Sequence, residues 1–155
     1  MALARARISF SVVPGVTSAL GSAAYAGIPL THRDHAHSVT SVTGHADKNG
    51  LEPDWRALAT SGATAVFYMG LGNMAHIVAR LLEHGAAPTL PAAVIAHGTL
   101  PSQRVIAATL ATIESAVSAA SLESPALLVV GEVVAMSATL AWFNAVADAD
   151  VSRSA

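Results

Sequence analysis

The chain has 155 residues, about one domain, with 53% hydrophobic residues, 12% charged residues and a net charge of −2. This charge argues against a nucleic-acid binder, which normally carries a basic patch, and the absence of cysteine excludes disulfides and thiolate metal sites. The charged fraction is about half the usual one, so we expect a subunit interface or a neighbouring domain to cover part of the surface. No segment is apolar over the length of a membrane span, and the N-terminal segment lacks a signal-peptide cleavage pattern. We therefore expect a cytoplasmic protein.

Short apolar runs alternate with segments of helical periodicity, which predicts an α/β fold. Strands are predicted at 8–13, 38–44 (with a bulge), 64–69, 92–96, 104–110 and 126–130. Helices are predicted at 16–27, after Asn73, and from the end of the fifth strand to Ala120. Asn73 is the expected N-cap of its helix, and Gly85 the expected stop. The segments 29–37 and 47–53 are expected to be loops, and Trp142 and Phe143 to anchor the C-terminal segment.

The apolar strand at 64–69 runs into Gly70-Leu71-Gly72-Asn73-Met74-Ala75, and a helix follows. Strand, G-x-G-x-x-A and helix is the order of a dinucleotide fingerprint. A true dinucleotide site has an acid about 20 residues further on, at the end of the next strand. Here the next strand ends in Ala96-His97-Gly98, without an acid. A tight turn with close helix packing explains the glycines at least as well as NAD binding.

Four histidines, His32, His35, His37 and His45, lie within one short region. Neutral imidazoles could chelate zinc or nickel. Asp34 is the one acid among them, so no second group of ligands completes a metal site. Solvated histidines, or histidines that face an anionic ligand, fit the pattern better.

Two neighbouring segments are candidate binding elements. The small residues that follow Pro14 at a helix start suit a backbone approached by a ligand, although close packing explains them equally well. No G-x-S-x-G elbow of an esterase is present. Arg33 stands beside His32 in a chain with few charges, and a guanidinium grips carboxylates through paired hydrogen bonds. A salt bridge between Arg33 and Asp34 is the alternative.

Five motifs occur in a fixed order along the chain. They are "VVPGVTSALGSAAYAGIPLTHRD" at 12–34, "TGH" at 43–45, "VFYMGLGN" at 66–73, "HGT" with "QRV" at 97–105, and "GEVV" with "WF" at 131–143. Together they resemble the uroporphyrinogen-III C-methyltransferases of the tetrapyrrole methylase family. The resemblance covers about residues 8–143, and its most specific block runs from Pro-Gly-Val-Thr-Ser to Thr-His-Arg.

The resemblance implies an α/β fold, with a mixed sheet of about five strands and flanking helices. It implies the end of an interdomain link and a first strand at 1–13, a C-terminal tetrapyrrole methylase domain at 14–145 and a tail at 146–155. The "GxGxGD" motif of the family's N-terminal domain does not occur. The family transfers methyl groups from S-adenosyl-L-methionine to C2 and C7 of uroporphyrinogen III and makes precorrin-2 for sirohaem and cobalamin. Its members are usually homodimers, with no nucleic-acid or membrane partner.

The resemblance also implies a set of site residues, with no metal among their ligands. The implied cofactor contacts are Pro14, Thr17, Ser18, Tyr68, Met69, Ala96 and Gly98. Met69 would lie near the adenosyl group, and Gly98 near the adenine. His32 and Arg33 would hold substrate propionates. The family usually has Glu-Asn-Gly-Thr where this chain has Ala96-His97-Gly98-Thr99, and Tyr and Gln at His35 and His37.

Two alternatives accompany this interpretation. One is a non-catalytic remnant that folds and dimerises but binds the cofactor weakly. The other is a module that binds a metal or a tetrapyrrole through the histidines between 32 and 45.

Overall fold

The computed structural model describes residues 1–44 and 52–143. The helices are α1 (Ala2–Arg5), α2 (Ser18–Tyr25), α3 (Trp55–Thr60), α4 (Met74–Glu83), α5 (Ile113–Ala119) and α6 (Ser137–Leu140). The strands are β1 (Val39–Thr43), β2 (Thr64–Tyr68), β3 (Pro91–Ala96), β4 (Arg104–Thr109) and β5 (Ala126–Val130). Short 3₁₀ helices lie at Leu71–Asn73 and Glu132–Met136. Within residues 1–44 and 52–143, no helix has both the length and the apolar character needed to cross a membrane.

The strands form one five-stranded sheet in the order β1-β2-β5-β3-β4. β1 and β2 are parallel, whereas the other neighbouring pairs are antiparallel. The predicted mixed sheet with flanking helices is confirmed. Because β2 and β3 are both antiparallel to β5, they run in the same direction, and their carboxyl ends lie at the same edge of the sheet. Tyr68 pairs with Leu127 at this edge, and Ala96 pairs with Ala126.

Both faces of the central sheet are buried. On one face, Phe67, Val94 and Leu128 pack with residues of α3, α4 and α5. On the other face, side chains that alternate with these, including Val66 and Ile95, pack with α2 and the 3₁₀ helix at Glu132–Met136. Strands buried on both faces are continuously apolar in sequence, which is why the central strands were predicted close to their observed bounds.

Two predictions of local structure are wrong, and one helix was not predicted. Residues 8–13 form no strand: they are exposed, and no described strand pairs with them. The predicted bulge in 38–44 is absent, because β1 pairs in regular register with β2 from Val39 to Thr43. The sequence analysis also missed α3, in which the Asp54 side chain accepts a hydrogen bond from the backbone N–H of Ala57 at 2.9 Å. The predicted loop at 47–53 falls mostly outside the described residues.

The predicted helices are confirmed, with shorter bounds. Gly85 follows α4 with a φ of +101°, a conformation that favours glycine, and so supports its predicted role as the helix stop. Asn73 precedes α4, but its side chain does not cap the helix and instead donates a hydrogen bond to the Gly44 carbonyl at 3.0 Å. Trp142 and Phe143 pack on Tyr25 with ring centroids 4.9 and 4.8 Å away, which confirms their anchoring role.

A charged network joins α4 to the chain just before α3. The Glu52 carboxylate accepts hydrogen bonds from Trp55 Nε1 at 2.9 Å and Arg80 Nη2 at 3.1 Å. Arg80 also donates to Glu83 at 2.7 Å, and His76 Nε2 lies 3.8 Å from Glu52. The hydrogen bond from Trp55, followed by the charge of Arg80 and that of His76, lowers the pKa of Glu52 from 4.5 despite partial desolvation.

Candidate functional site

A cleft of about 270 Å³ lies at the sheet edge where β2 and β3 end and β5 begins. Ligands of open α/β sheets bind at the carboxyl ends of strands, so the position itself marks a candidate site. α2, the two strand ends and the loop after β3 supply the polar and glycine positions of the cleft. These are Ser18, Ser22, Tyr68, His97 and Gly98, and Met69 lines the cleft next to Tyr68.

Two cleft residues have left-handed backbones. Met69 directly follows β2 with a φ of 54°, and His97 directly follows β3 with a φ of 51°. Such conformations cost non-glycine residues about 1–3 kcal/mol and cluster at functional sites. The Met69 side chain is 60% exposed, so its own burial does not account for the conformation. Both strand ends therefore carry strain where they face the cleft.

A hydrogen bond connects the two hydroxyls of Thr17 and Tyr68. Thr17 is the N-cap residue of α2, but its side chain makes no capping hydrogen bond to the helix. The hydroxyl is instead used to join the start of α2 to the end of β2. Thr17 is thereby held next to a residue that lines the cleft.

α2 packs directly on the loop that follows β3. A Cβ atom added to Gly98 would lie 2.6 Å from Ser22 Cβ and 3.2 Å from Ser22 Cα. A Cβ atom on Gly21 would lie 3.5 Å from Thr99 Cγ2. The loop is fixed by a hydrogen bond from the Thr99 backbone N–H to Gln103 Oε1 at 2.7 Å. These contacts account for the small residues of α2 and confirm that the helix packs closely.

The glycine motif after β2 accommodates a crossing of two backbone segments. A Cβ atom on Gly44 would lie 2.6 Å from Gly70 Cα, and the Gly44 N–H donates to the Tyr68 carbonyl at 2.7 Å. Gly72 has no neighbour within 4 Å of a Cβ position. The motif thus serves close packing, as one of the two explanations of its glycines predicts.

The histidine region contains no metal site within the part of the chain that the structure describes. His32 and His35 have ring centroids 5.1 Å apart, and the Asp34 N–H donates to His32 Nδ1 at 3.2 Å. No group of three histidine or acidic residues is placed to hold a metal among the described residues, and His45 lies outside them. Arg33 is exposed and forms no ion pair with a described acid, so the alternative pairing with Asp34 is not observed. Neither His32 nor Arg33 lines the cleft.

Four of the residues implied as cofactor contacts line one cleft: Ser18, Tyr68, Met69 and Gly98. A fifth, Thr17, lies next to the cleft, because its hydroxyl is hydrogen-bonded to that of Tyr68. Their role in binding stays a prediction.

Pro14 and Ala96 do not line the cleft. Pro14 is exposed before α2, and the Ala96 side chain is buried in the sheet. Their roles also stay predictions. Ser22 also lines the cleft and was not predicted, although it lies four residues after Ser18 and so shares a face of α2 with it.

The chain matches the family model of the Tetrapyrrole (Corrin/Porphyrin) Methylases over residues 1–114. It belongs to the tetrapyrrole methylase family. This methylase chain is 54% identical to siroheme synthase 2 of Aeromonas salmonicida over 92% of its own length and 29% of that protein. It is 48% identical to a siroheme synthase of Nitrosomonas eutropha over 94% of its length and 31% of that protein. The methylase chain therefore spans less than a third of the curated relatives it matches.

Solved structures agree with this family. The uroporphyrin-III C-methyl transferase of Thermus thermophilus complexed with S-adenyl homocysteine matches with a TM-score of 0.69 and 36% identity, over 86% of this chain and 57% of that one. A second structure of the Thermus thermophilus enzyme matches with a TM-score of 0.73 and 39% identity, over 90% and 58% of the two chains. Cobalt precorrin-4 methyltransferase, at 21% identity and a TM-score of 0.75, shares the fold. The predicted family and fold class are confirmed.

Proposed function

We propose that this chain is the cofactor-binding C-terminal part of a uroporphyrinogen-III C-methyltransferase. It would use S-adenosylmethionine to methylate C2 and C7 and give precorrin-2 for sirohaem synthesis. The observation that carries the proposal is that Ser18, Tyr68, Met69 and Gly98, from separate segments of the chain, line one cleft. The siroheme synthase relatives and the Thermus structure with S-adenosylhomocysteine support it. A cytoplasmic homodimer belongs to the same proposal through the family resemblance.

The cleft residues fit the proposed cofactor. Apolar side chains such as Ile95 and Leu127 can contact the flat faces of an adenine ring, while the Ser18 and Ser22 hydroxyls supply a few polar contacts. A volume of about 270 Å³ is slightly below the ~300–1,000 Å³ of typical ligand pockets. The cleft therefore holds a nucleoside-sized group and leaves the remainder of a larger cofactor accessible at the rim.

The bound cofactor would supply a methyl group already activated on a sulfonium, so the protein's task is mainly positioning. Gly98 leaves the space in which the Ser22 side chain packs against the loop at the cleft wall. Met69 presents a thioether side chain from a strained strand end. The Thr17–Tyr68 hydrogen bond joins the start of α2 to the end of β2, next to the cleft. Together these residues would orient the cofactor for in-line transfer.

Arg33 and His32 would hold the substrate through its carboxylates. Two backbone hydrogen bonds of 2.8 and 2.9 Å between His32 and Ala36 close the turn that presents Arg33. The guanidinium is exposed and unpaired among the described residues, and it can form bidentate hydrogen bonds with a propionate. This chemistry suits a tetrapyrrole that carries several acidic side chains.

The first test is calorimetric titration of the 155-residue chain with S-adenosylhomocysteine. We expect micromolar binding, and binding about 5- to 30-fold weaker for Met69→Ala, because part of an apolar side chain contact is lost. Val39→Ala is the control, since Val39 is also a partly exposed apolar residue but lies at the opposite end of the sheet. A folded chain that does not bind, or equal affinities for all three proteins, would contradict the proposed site.

The second test measures transfer of labelled methyl groups from S-adenosylmethionine to uroporphyrinogen III. Transfer would support the full reaction. Binding without transfer by this chain would favour a cofactor-binding module that needs further polypeptide for catalysis.

A further inference from the structure

Ser22 is a buried serine in the cleft with an unused hydroxyl. Its side chain is 5% exposed, yet it lines the cleft. Oγ occupies the space that a Cβ atom at Gly98 would fill. Among residues 1–44 and 52–143, no group hydrogen-bonds to Ser22 Oγ. The contact with Gly98 is therefore steric, and the polar capacity of the hydroxyl remains available.

Other helical hydroxyls in the chain are used differently. Ser115 Oγ donates to the Thr112 carbonyl at 2.9 Å, and Thr60 Oγ1 donates to the Arg56 carbonyl at 2.8 Å. This local backbone bond is the usual way to satisfy a serine or threonine within a helix. Ser22 does not make it. The Ser22 hydroxyl is not among the fully buried polar atoms without a partner, so it keeps accessible surface toward the cleft. A polar atom of a ligand in the cleft can therefore hydrogen-bond to it.

The position of Ser22 indicates which part of a ligand reaches it. Ser18 is exposed at the first turn of α2, whereas Ser22, one turn later on the same face, is buried. The Thr17–Tyr68 hydroxyl pair lies at the Ser18 end. A charged amino-acid group would remain at this polar end, because its burial is costly. A flat heterocycle would enter the deeper end beside Ile95 and Leu127.

We propose that Ser22 recognises the nucleoside part of the ligand, with its hydroxyl hydrogen-bonded to a polar atom of the purine ring. This inference rests on the proposed function. A hydroxyl both donates and accepts, so a ring nitrogen or an exocyclic amine can pair with it. Gly98 makes the bond possible, because any side chain there would displace the hydroxyl from the cleft wall. Ser22 acts on binding and takes no part in methyl transfer.

The test compares Ser22→Ala with Ser115→Ala, which removes the hydroxyl of a helical serine outside the cleft. Titrations use S-adenosylhomocysteine and 5′-methylthioadenosine, which shares the nucleoside but lacks the amino-acid group. We expect Ser22→Ala to bind both ligands about 5- to 10-fold more weakly, by loss of one hydrogen bond. Its Tm should not fall, since alanine favours the helix and no internal bond is lost. Ser115→Ala should bind both ligands as the parent chain does.

Four results would overturn the inference. An unchanged affinity of Ser22→Ala, with a lower Tm, would mean that the hydroxyl serves packing inside the protein. A loss for S-adenosylhomocysteine but not for 5′-methylthioadenosine would mean that Ser22 contacts the amino-acid part. If the parent chain binds neither ligand, the proposed function fails together with this inference; if it binds both and Ser22→Ala binds equally well, the inference alone fails.

Discussion

Gly98→Ala tests the contact on which the shape of the cleft depends. The added Cβ atom would lie 2.6 Å from Ser22 Cβ and 3.2 Å from Ser22 Cα, and real Cβ atoms essentially never approach another atom within 3.0 Å. The backbone of Gly98 does not have a positive φ, so alanine fits the local conformation and the cost is steric. Overpacking of this kind costs about 1–3 kcal/mol. Alanine also lowers the conformational entropy of the unfolded chain, which stabilises the folded state by about 0.4–1 kcal/mol.

The expected net loss therefore lies between about 0 and 2.6 kcal/mol, and its central value of about 1.3 kcal/mol lowers the Tm of a domain of this size by about 3–5 °C. Ser22→Gly removes the two nearest Ser22 atoms and should relieve the clash, at a cost of about 0.5 kcal/mol for glycine in a helix. In urea unfolding followed by circular dichroism, the double variant should be more stable than the sum of the single changes predicts, by about 1 kcal/mol. Additive effects would refute the close contact. Gly72→Ala is the control, since nothing lies within 4 Å of its Cβ position, and it should change stability by less than about 0.5 kcal/mol.

Three further predictions concern strain, charge and substrate. Met69→Gly should raise the free energy of unfolding by about 0.5 kcal/mol because it relieves a left-handed backbone, while it weakens S-adenosylhomocysteine binding; a lower Tm would contradict this. The pKa of Glu52 is lowered in the folded state, so its stabilisation is complete above the unfolded pKa and is lost as the pH falls below about 4.5. Acid titrations of stability should show a smaller decline in this range for Glu52→Gln, and identical curves would argue against the Trp55 and Arg80 contacts. Arg33→Ala should weaken tetrapyrrole binding and leave S-adenosylhomocysteine binding unchanged; the reverse pattern would contradict the proposed role.

The central sheet was predictable because β2, β3 and β5 are buried on both faces and therefore consist of continuous apolar residues. The run at 8–13 has a similar local composition but pairs with no strand in the part of the chain that the structure describes, and local composition does not reveal this. α3 was missed because it is short and follows a polar, turn-rich segment, and the burial of Trp55 against Phe67 depends on distant parts of the chain. Local sequence patterns thus predicted the strands that are defined by burial. They failed for segments whose structure depends on strand pairing or on packing against distant parts of the chain.

The residues of the cleft also fall into a group that the sequence predicted and a group that it did not. The family resemblance named Tyr68, Met69 and Gly98, and the structure places all three at strand ends in one cleft. Ser22 was not predictable as a cleft residue, because its position depends on the contact between α2 and the loop after β3, and no local pattern encodes that contact. Its spacing from Ser18 gave the one usable signal, a shared helix face. A motif thus identifies the segments of a site, while packing between segments determines which side chains face the ligand.

The exposed apolar residues bear on how strongly this chain alone should bind a ligand. The low charged fraction predicts that another subunit or domain covers part of the surface. Four apolar residues are indeed more than half exposed: Val16, Leu20, Met69 and Leu100. Met69 and Leu100 belong to the cleft wall, so water reaches one side of the site. Hydrogen bonds are stronger where water is excluded. Any polypeptide that covered this face would therefore strengthen hydrogen bonds from Ser18 and Ser22 to a ligand. We expect the isolated chain to bind S-adenosylhomocysteine more weakly than the same site would when it is covered.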